Sequence, residues 1–106
     1  MESKKYELTD IVKEYKGHTL HRIMALKDIK FDINGVKAGE LGGWVESENN
    51  LSQEGDCWIK DDAKVYEDAT VAGFARISGG AAVNGNADVG WHAIVVGNAI
   101  IKDSAT

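Results

Sequence analysis

The chain has 106 residues, with 12 lysine and arginine against 17 aspartate and glutamate, a formal charge of −5 and a pI near 5.1. Scattered cations on an acidic chain argue against a broad footprint for nucleic acid, which requires clustered positive charge. No apolar run approaches the roughly 20 residues of a membrane-spanning helix, and the charged opening MESKKYELTD lacks the apolar centre of a signal peptide, so a cytoplasmic protein without a membrane partner is expected. A single cysteine, Cys57, excludes an intrachain disulfide and a multi-cysteine metal site.

The first elements are β-like. The runs KKYELTDIVKEY and HTLHRIMALKDI flank Lys16 and Gly17, and glycine supplies the turn of a hairpin. A helix over residues 19–27 competes with the second strand. The segment GVKAGELGGWVESENNLSQEGDCW follows, with Val36, Leu41, Trp44, Val45 and Leu51 as apolar anchors. Its GELGG turn has no following lysine and helix, so it is not a phosphate loop.

From Asp56 the chain falls into sixes: DCWIKD, DAKVYE, DATVAG, FARISG, GAAVNG, NADVGW, HAIVVG, NAIIKD, then SAT. The second place is Cys57, then alanine at 63, 69, 75, 81, 87, 93, 99 and 105. The fourth is Ile59, Val65, Val71, Ile77, Val83, Val89, Val95 and Ile101. A period of six does not close on the 3.6-residue helical turn, whereas two places two apart share one side of a strand. Each unit therefore reads as a short strand plus a corner, and successive units stack into a solenoid with a continuous core. Cys57, at an inward place, reads as unreactive core.

An aliphatic residue followed four places on by a small one resembles the hexapeptide-repeat family. That resemblance implies a left-handed parallel β-helix with three hexads per coil. The fold expected is thus all-β: a short left-handed parallel β-helix of about three coils over residues 51–106, preceded by an N-terminal β-hairpin cap and lead-in coil over residues 1–50. The stretches YELTD, HTLHRI, LGGW and ENNLSQEGDCW also resemble the opening of repeat proteins found in bacteriophages and prophages.

Sorting outward residues by coil places Trp58, Arg76 and Ile94 on one face beside Lys60, Ser78 and Val96, and Lys64, Ala82 and Ile100 on a second beside Tyr66, Asn84 and Lys102. A corner holds Phe74 with Trp91 and His92. Exposed apolar side chains mark a partner surface unless the N-terminal segment folds over them. Trp44 and Trp58 flank the cap junction and are expected to pack there. The acidic corner residues Asp61, Asp62, Glu67 and Asp68 read as a solvated edge. Arg76, Lys60 and Lys64 are anion-binding candidates, but they lie on two faces.

The expectation is a non-catalytic, self-associating, phage-type binding module without a cofactor. It offers Trp58, Arg76, Ile94, Val96, Phe74, Trp91, His92 and Ile100 to a second copy, a host defence protein or a small nucleotide. Hexapeptide-repeat proteins include acyltransferases that use a histidine as general base, and the resemblance puts that role on His92, the only histidine in the repeats. No group to orient its imidazole or hold an oxyanion is legible. A purely structural phage or scaffold role is a further alternative. Zinc would require His18, His21 and His92 to meet.

Overall fold

The hexad register reappears in the backbone pairing of the computed structural model, which describes residues 4–30 and 35–101. Among these described residues eleven strands occur in chain order: β1 (Tyr6–Tyr15), β2 (His18–Ala25), β3 (Leu41–Val45), β4 (Trp58–Ile59), β5 (Lys64–Val65), β6 (Thr70–Val71), β7 (Arg76–Ile77), β8 (Ala82–Val83), β9 (Asp88–Val89), β10 (Ile94–Val95) and β11 (Ile100–Ile101). A 3₁₀ turn at Glu48–Asn50 is the only helical element among the described residues. Parallel partners are Trp58, Arg76 and Ile94 on one face, Lys64, Ala82 and Ile100 on the second, and Thr70 with Asp88 on the third. Partners are eighteen residues apart, so three hexads make one turn of a β-solenoid of about three turns. Lys102 and Ala105 lie outside the described residues.

The two repeated columns are the core. Cys57, Ala63, Ala69, Ala75, Ala81 and Ala87 are buried, as are Ile59, Val65, Val71, Ile77, Val83, Val89 and Val95. The rungs are tied by amide hydrogen bonds such as Lys64 N to Ala81 O (2.9 Å) and Arg76 N to Ala93 O (2.9 Å). Corners also stack in register, with Asp61, Gly79 and Gly97 in one left-handed column and Gly55, Gly73 and Trp91 in another. A side chain on Gly79 would place its Cβ 2.9 Å from Gly97 N, so glycine is required there by the next coil as well as by φ. The acidic corners do more than meet solvent: Gly79 N donates to Asp61 Oδ2 (3.2 Å) and Gly85 N to Glu67 Oε1 (2.9 Å), satisfying amides one coil on.

The N-terminal hairpin turns through Lys16 and Gly17 at positive φ. Residues 18–25 are a strand rather than a helix because β2 is paired antiparallel on both sides, with β1 and with β3. β3 then pairs in parallel with β5, so one six-stranded sheet, ordered β1-β2-β3-β5-β8-β11, runs from the hairpin into the solenoid. The entry to the hairpin seals the first coil. Tyr6 is buried, its hydroxyl donating to Leu51 O (2.6 Å), and its ring meets Trp58 edge to face. Lys5 inserts its ammonium against Cys57 O (2.7 Å) and Gly55 O (3.2 Å), and burial pushes its pKa down. Asn50, fully buried, closes the last gap: its amide donates to Ala69 O (2.8 Å), and its carbonyl accepts from the amides of Glu46 and Ser47.

Truncating an inward rung removes buried methylenes and leaves a cavity between coils. Ile77→Ala is expected to cost about 2–5 kcal/mol, whereas the outward Ile94→Ala stays within about 0.5 kcal/mol. Urea unfolding of the two variants measures the difference, and equal losses would contradict the inward assignment.

Candidate functional site

Two places concentrate chemistry-bearing side chains, and only one was visible in the sequence. The first is the corner column where Phe74 lies beneath His92. Their rings stack nearly parallel, 5.0 Å between centroids and 8° between planes. Trp91, next to His92, is held in left-handed backbone and is 86% exposed. Phe74, Ile94, Val96 and Ile100 are exposed as well, so the N-terminal segment does not fold over them. Arg76 lies on the same face, half-buried between Trp58 and Ile94 in the parallel register.

Trp58 does not belong to this surface. It is fully buried, covered by Tyr6 and packed in one core with Ile23, Ile29 and Val36. Its strand position pointed outward correctly, but the chain before the repeats is laid over that rung. The packing expected of Trp58 at the cap junction is what forms, and its availability to a partner is lost.

A cavity of about 680 Å³ opens beside the corner column at the last described rungs. The inward residues Val89, Ala93, Val95 and Ile101 line it, with Asp88, Gly90, Trp91 and Ile94 around them. Asp88 accepts a hydrogen bond from the Thr70 hydroxyl on the neighbouring rung. The site is therefore mostly apolar, with an exposed imidazole nearby and one engaged carboxylate.

The second place joins the hairpin tip to a solenoid corner. His18 Nδ1 is 2.9 Å from Glu46 Oε2, and its Nε2 is 3.5 Å from Glu67 Oε2. Glu46 also accepts from Glu67 N (2.8 Å). The imidazole leans on Tyr66, whose hydroxyl accepts from Asn84 Nδ2 (2.9 Å). The hydrogen bond to Glu46 raises the His18 pKa, and the same bond lowers that of Glu46. No sequence pattern signalled this set, because its members come from residues 18, 46 and 67 and meet only when the hairpin docks. His21 instead faces Thr9 O (3.2 Å), so the three histidines have separate surroundings. No group of three or more metal-ligating side chains occurs among the described residues. Nor is any helix among them long and apolar enough to cross a membrane.

Comparison with known proteins bears on the choice between binding and catalysis. No family model matches the chain. A stretch of 46 residues is 46% identical to an uncharacterised acetyltransferase, YdcK, of Escherichia coli K12. The stretch is 43% of this chain and 13% of that protein, so the chain spans a small part of the curated relative it matches. This match, together with the solenoid, fits the hexapeptide-repeat reading and overturns the expectation that the chain is not an enzyme. The protein with the matching tract is named an acetyltransferase, whereas neither the match nor the fold supports a phage origin.

The His18 clasp has a definite pH dependence. Its folded pKa is raised, so its contribution is whole below the ordinary histidine value of about 6.5 and is lost as pH rises through the raised value. Glu46, with its pKa lowered, contributes above the ordinary carboxylate value of about 4.3 and loses that contribution as pH falls through the lowered one. His18→Ala should therefore lower the melting temperature more near pH ~6 than near pH ~9. Melting curves of the variant and the parent at both pH values test this, and an equal difference at both would remove the ion pair from the account.

Proposed function

We propose that this solenoid serves an acyltransferase-like enzyme that moves an acyl group from a thioester donor to a hydroxyl or amine acceptor, with His92 as general base. The observation that carries the reading is the 46% identity to an acetyltransferase over 46 residues. The reaction needs an imidazole with an open nitrogen lone pair to take the acceptor's proton as it attacks the thioester carbonyl and the thiolate leaves. His92 meets that need: the Phe74 ring holds its plane, and no described residue hydrogen-bonds to either ring nitrogen. His18 does not meet it, since carboxylates flank both its nitrogens and favour the cation, which has no lone pair to offer.

An orienting partner for His92 and donors for the oxyanion would come from a second copy. The exposed Ile94 and Val96 on the face beside the corner column, with exposed Ile100 on the next face, favour such an arrangement. The notion of a module that sequesters a host protein or a nucleotide draws on the same apolar side chains, but no further observation favours it.

Thiol release from acetyl-coenzyme A, measured with a panel of amine and hydroxyl acceptors, tests the activity. His92→Ala is expected to lower kcat by about 10²–10⁴-fold, while His18→Ala at pH ~6 alters stability with little change in kcat. Turnover that survives His92→Ala would sink the assignment. Separately, light scattering of Ile94→Lys is expected to show a smaller mass than the parent, and an unchanged mass would place any subunit contact elsewhere.

A further inference from the structure

The outer face of the six-stranded sheet carries a second feature that acyl transfer does not use. Register aligns Arg22, Trp44 and Lys64 on neighbouring strands, and Lys13 sits opposite Leu20 on the same side. Leu20, Trp44 and Tyr66 form an apolar floor against which Tyr15 packs. Cations cover it. Lys13 Nζ is 4.4 Å and Arg22 Cζ 5.2 Å from the Trp44 ring centre, while Lys64 Nζ is 4.9 Å and Lys16 Nζ 5.5 Å from that of Tyr15. Four of the twelve lysines and arginines of an acidic chain thus gather on one face.

Two of the donors at this floor have no acceptor. Arg22 Nε and Trp44 Nε1 are buried and have no hydrogen-bond partner. Lys64 gives one hydrogen bond to Asp62 O (3.0 Å). Among the described residues none of Lys13, Lys16, Arg22 and Lys64 has a carboxylate within ion-pair distance. Three glutamates of the neighbouring strands and corners are committed elsewhere: Glu14 accepts from Thr19 Oγ1 (2.6 Å), and Glu46 and Glu67 face His18. The Lys64 pKa is pushed down by burial and then by the Lys13 ammonium, and the Asp62 carboxylate offsets only part of this, so the two lysines repel each other.

We propose that this face is a binding site for a phosphate-bearing anion, held by Lys13, Arg22 and Lys64 above Trp44. A phosphate group suits it better than a carboxylate. Lys13 and Arg22 stand over Trp44 and Lys64 over the adjoining Tyr15, and a dianion with three acceptor oxygens offers such a set more than a single carboxylate, which has one charge and two oxygens. Sequence order hides the site because Lys64 lies on the solenoid, while Lys13 and Arg22 belong to the hairpin.

Calorimetric titration of the full chain at low salt with pyrophosphate, and in parallel with adenosine diphosphate, tests the proposal. Saturable binding that weakens as salt rises is expected for pyrophosphate. Affinity should fall by at least about tenfold in Lys13→Gln/Lys64→Gln and hold in Lys60→Gln, which alters another face. Equal affinity for the two probes assigns the site to phosphate alone, and tighter adenosine diphosphate to a nucleotide. Absence of saturable pyrophosphate binding, or binding that the double variant leaves intact, would overturn the proposal. Removing one of two repelling lysines does not threaten folding, so Lys13→Gln alone carries the test if the double variant melts early. Binding is read without turnover, so its outcome and that of acyl transfer are independent.

Discussion

Stacking of identical rungs every eighteen residues is the constraint on which the rest of the structure depends. A strand of two residues cannot bury a useful area or hold a register alone. It becomes stable when its amides bond to the coil above and its inward aliphatic meets an equivalent on each side. Alanine and valine or isoleucine recur because the interior of the coil is narrow, and each place must match the one above it. Corners obey the same rule, which is why glycine at 79 sits under glycine at 97, and why Asp61 and Glu67 reach across to amides of the next coil.

Such a stack has a problem at its first coil, where no earlier rung supplies partners. The chain solves it by extending one sheet outward with an antiparallel hairpin and filling the end with Lys5, Tyr6 and Asn50, whose polar atoms replace the hydrogen bonds a preceding coil would give. This has consequences for the surface. Docking the hairpin buries Trp58, brings His18 between two carboxylates and lays Lys13 and Arg22 over Trp44 beside Lys64. One packing event thus removes a residue from the exposed apolar face and creates two polar arrangements.

The two histidine environments show how the fold gives one residue type different surroundings. His18 is held by charge, and its proton is favoured by the carboxylates around it. His92 is exposed and stacks on the Phe74 ring. General-base chemistry calls for the second condition, and a structural clasp for the first.

The hexad columns, the solenoid, the Lys16–Gly17 hairpin and the exposure of Phe74, Trp91, Ile94, Val96 and Ile100 were legible in the sequence, the columns and the hairpin from a local period or a local turn, and the three hexads per coil from the resemblance to hexapeptide-repeat proteins. The burial of Trp58, the Glu46–His18–Glu67 clasp and the cation cover over Trp44 were not. Each joins residues of the hairpin to residues of the coils, and no periodicity inside either segment specifies how one lies on the other. Local repetition sets which side chains face in or out along a strand, but docking of a non-repeating segment decides which outward ones stay in water and which charges end as neighbours.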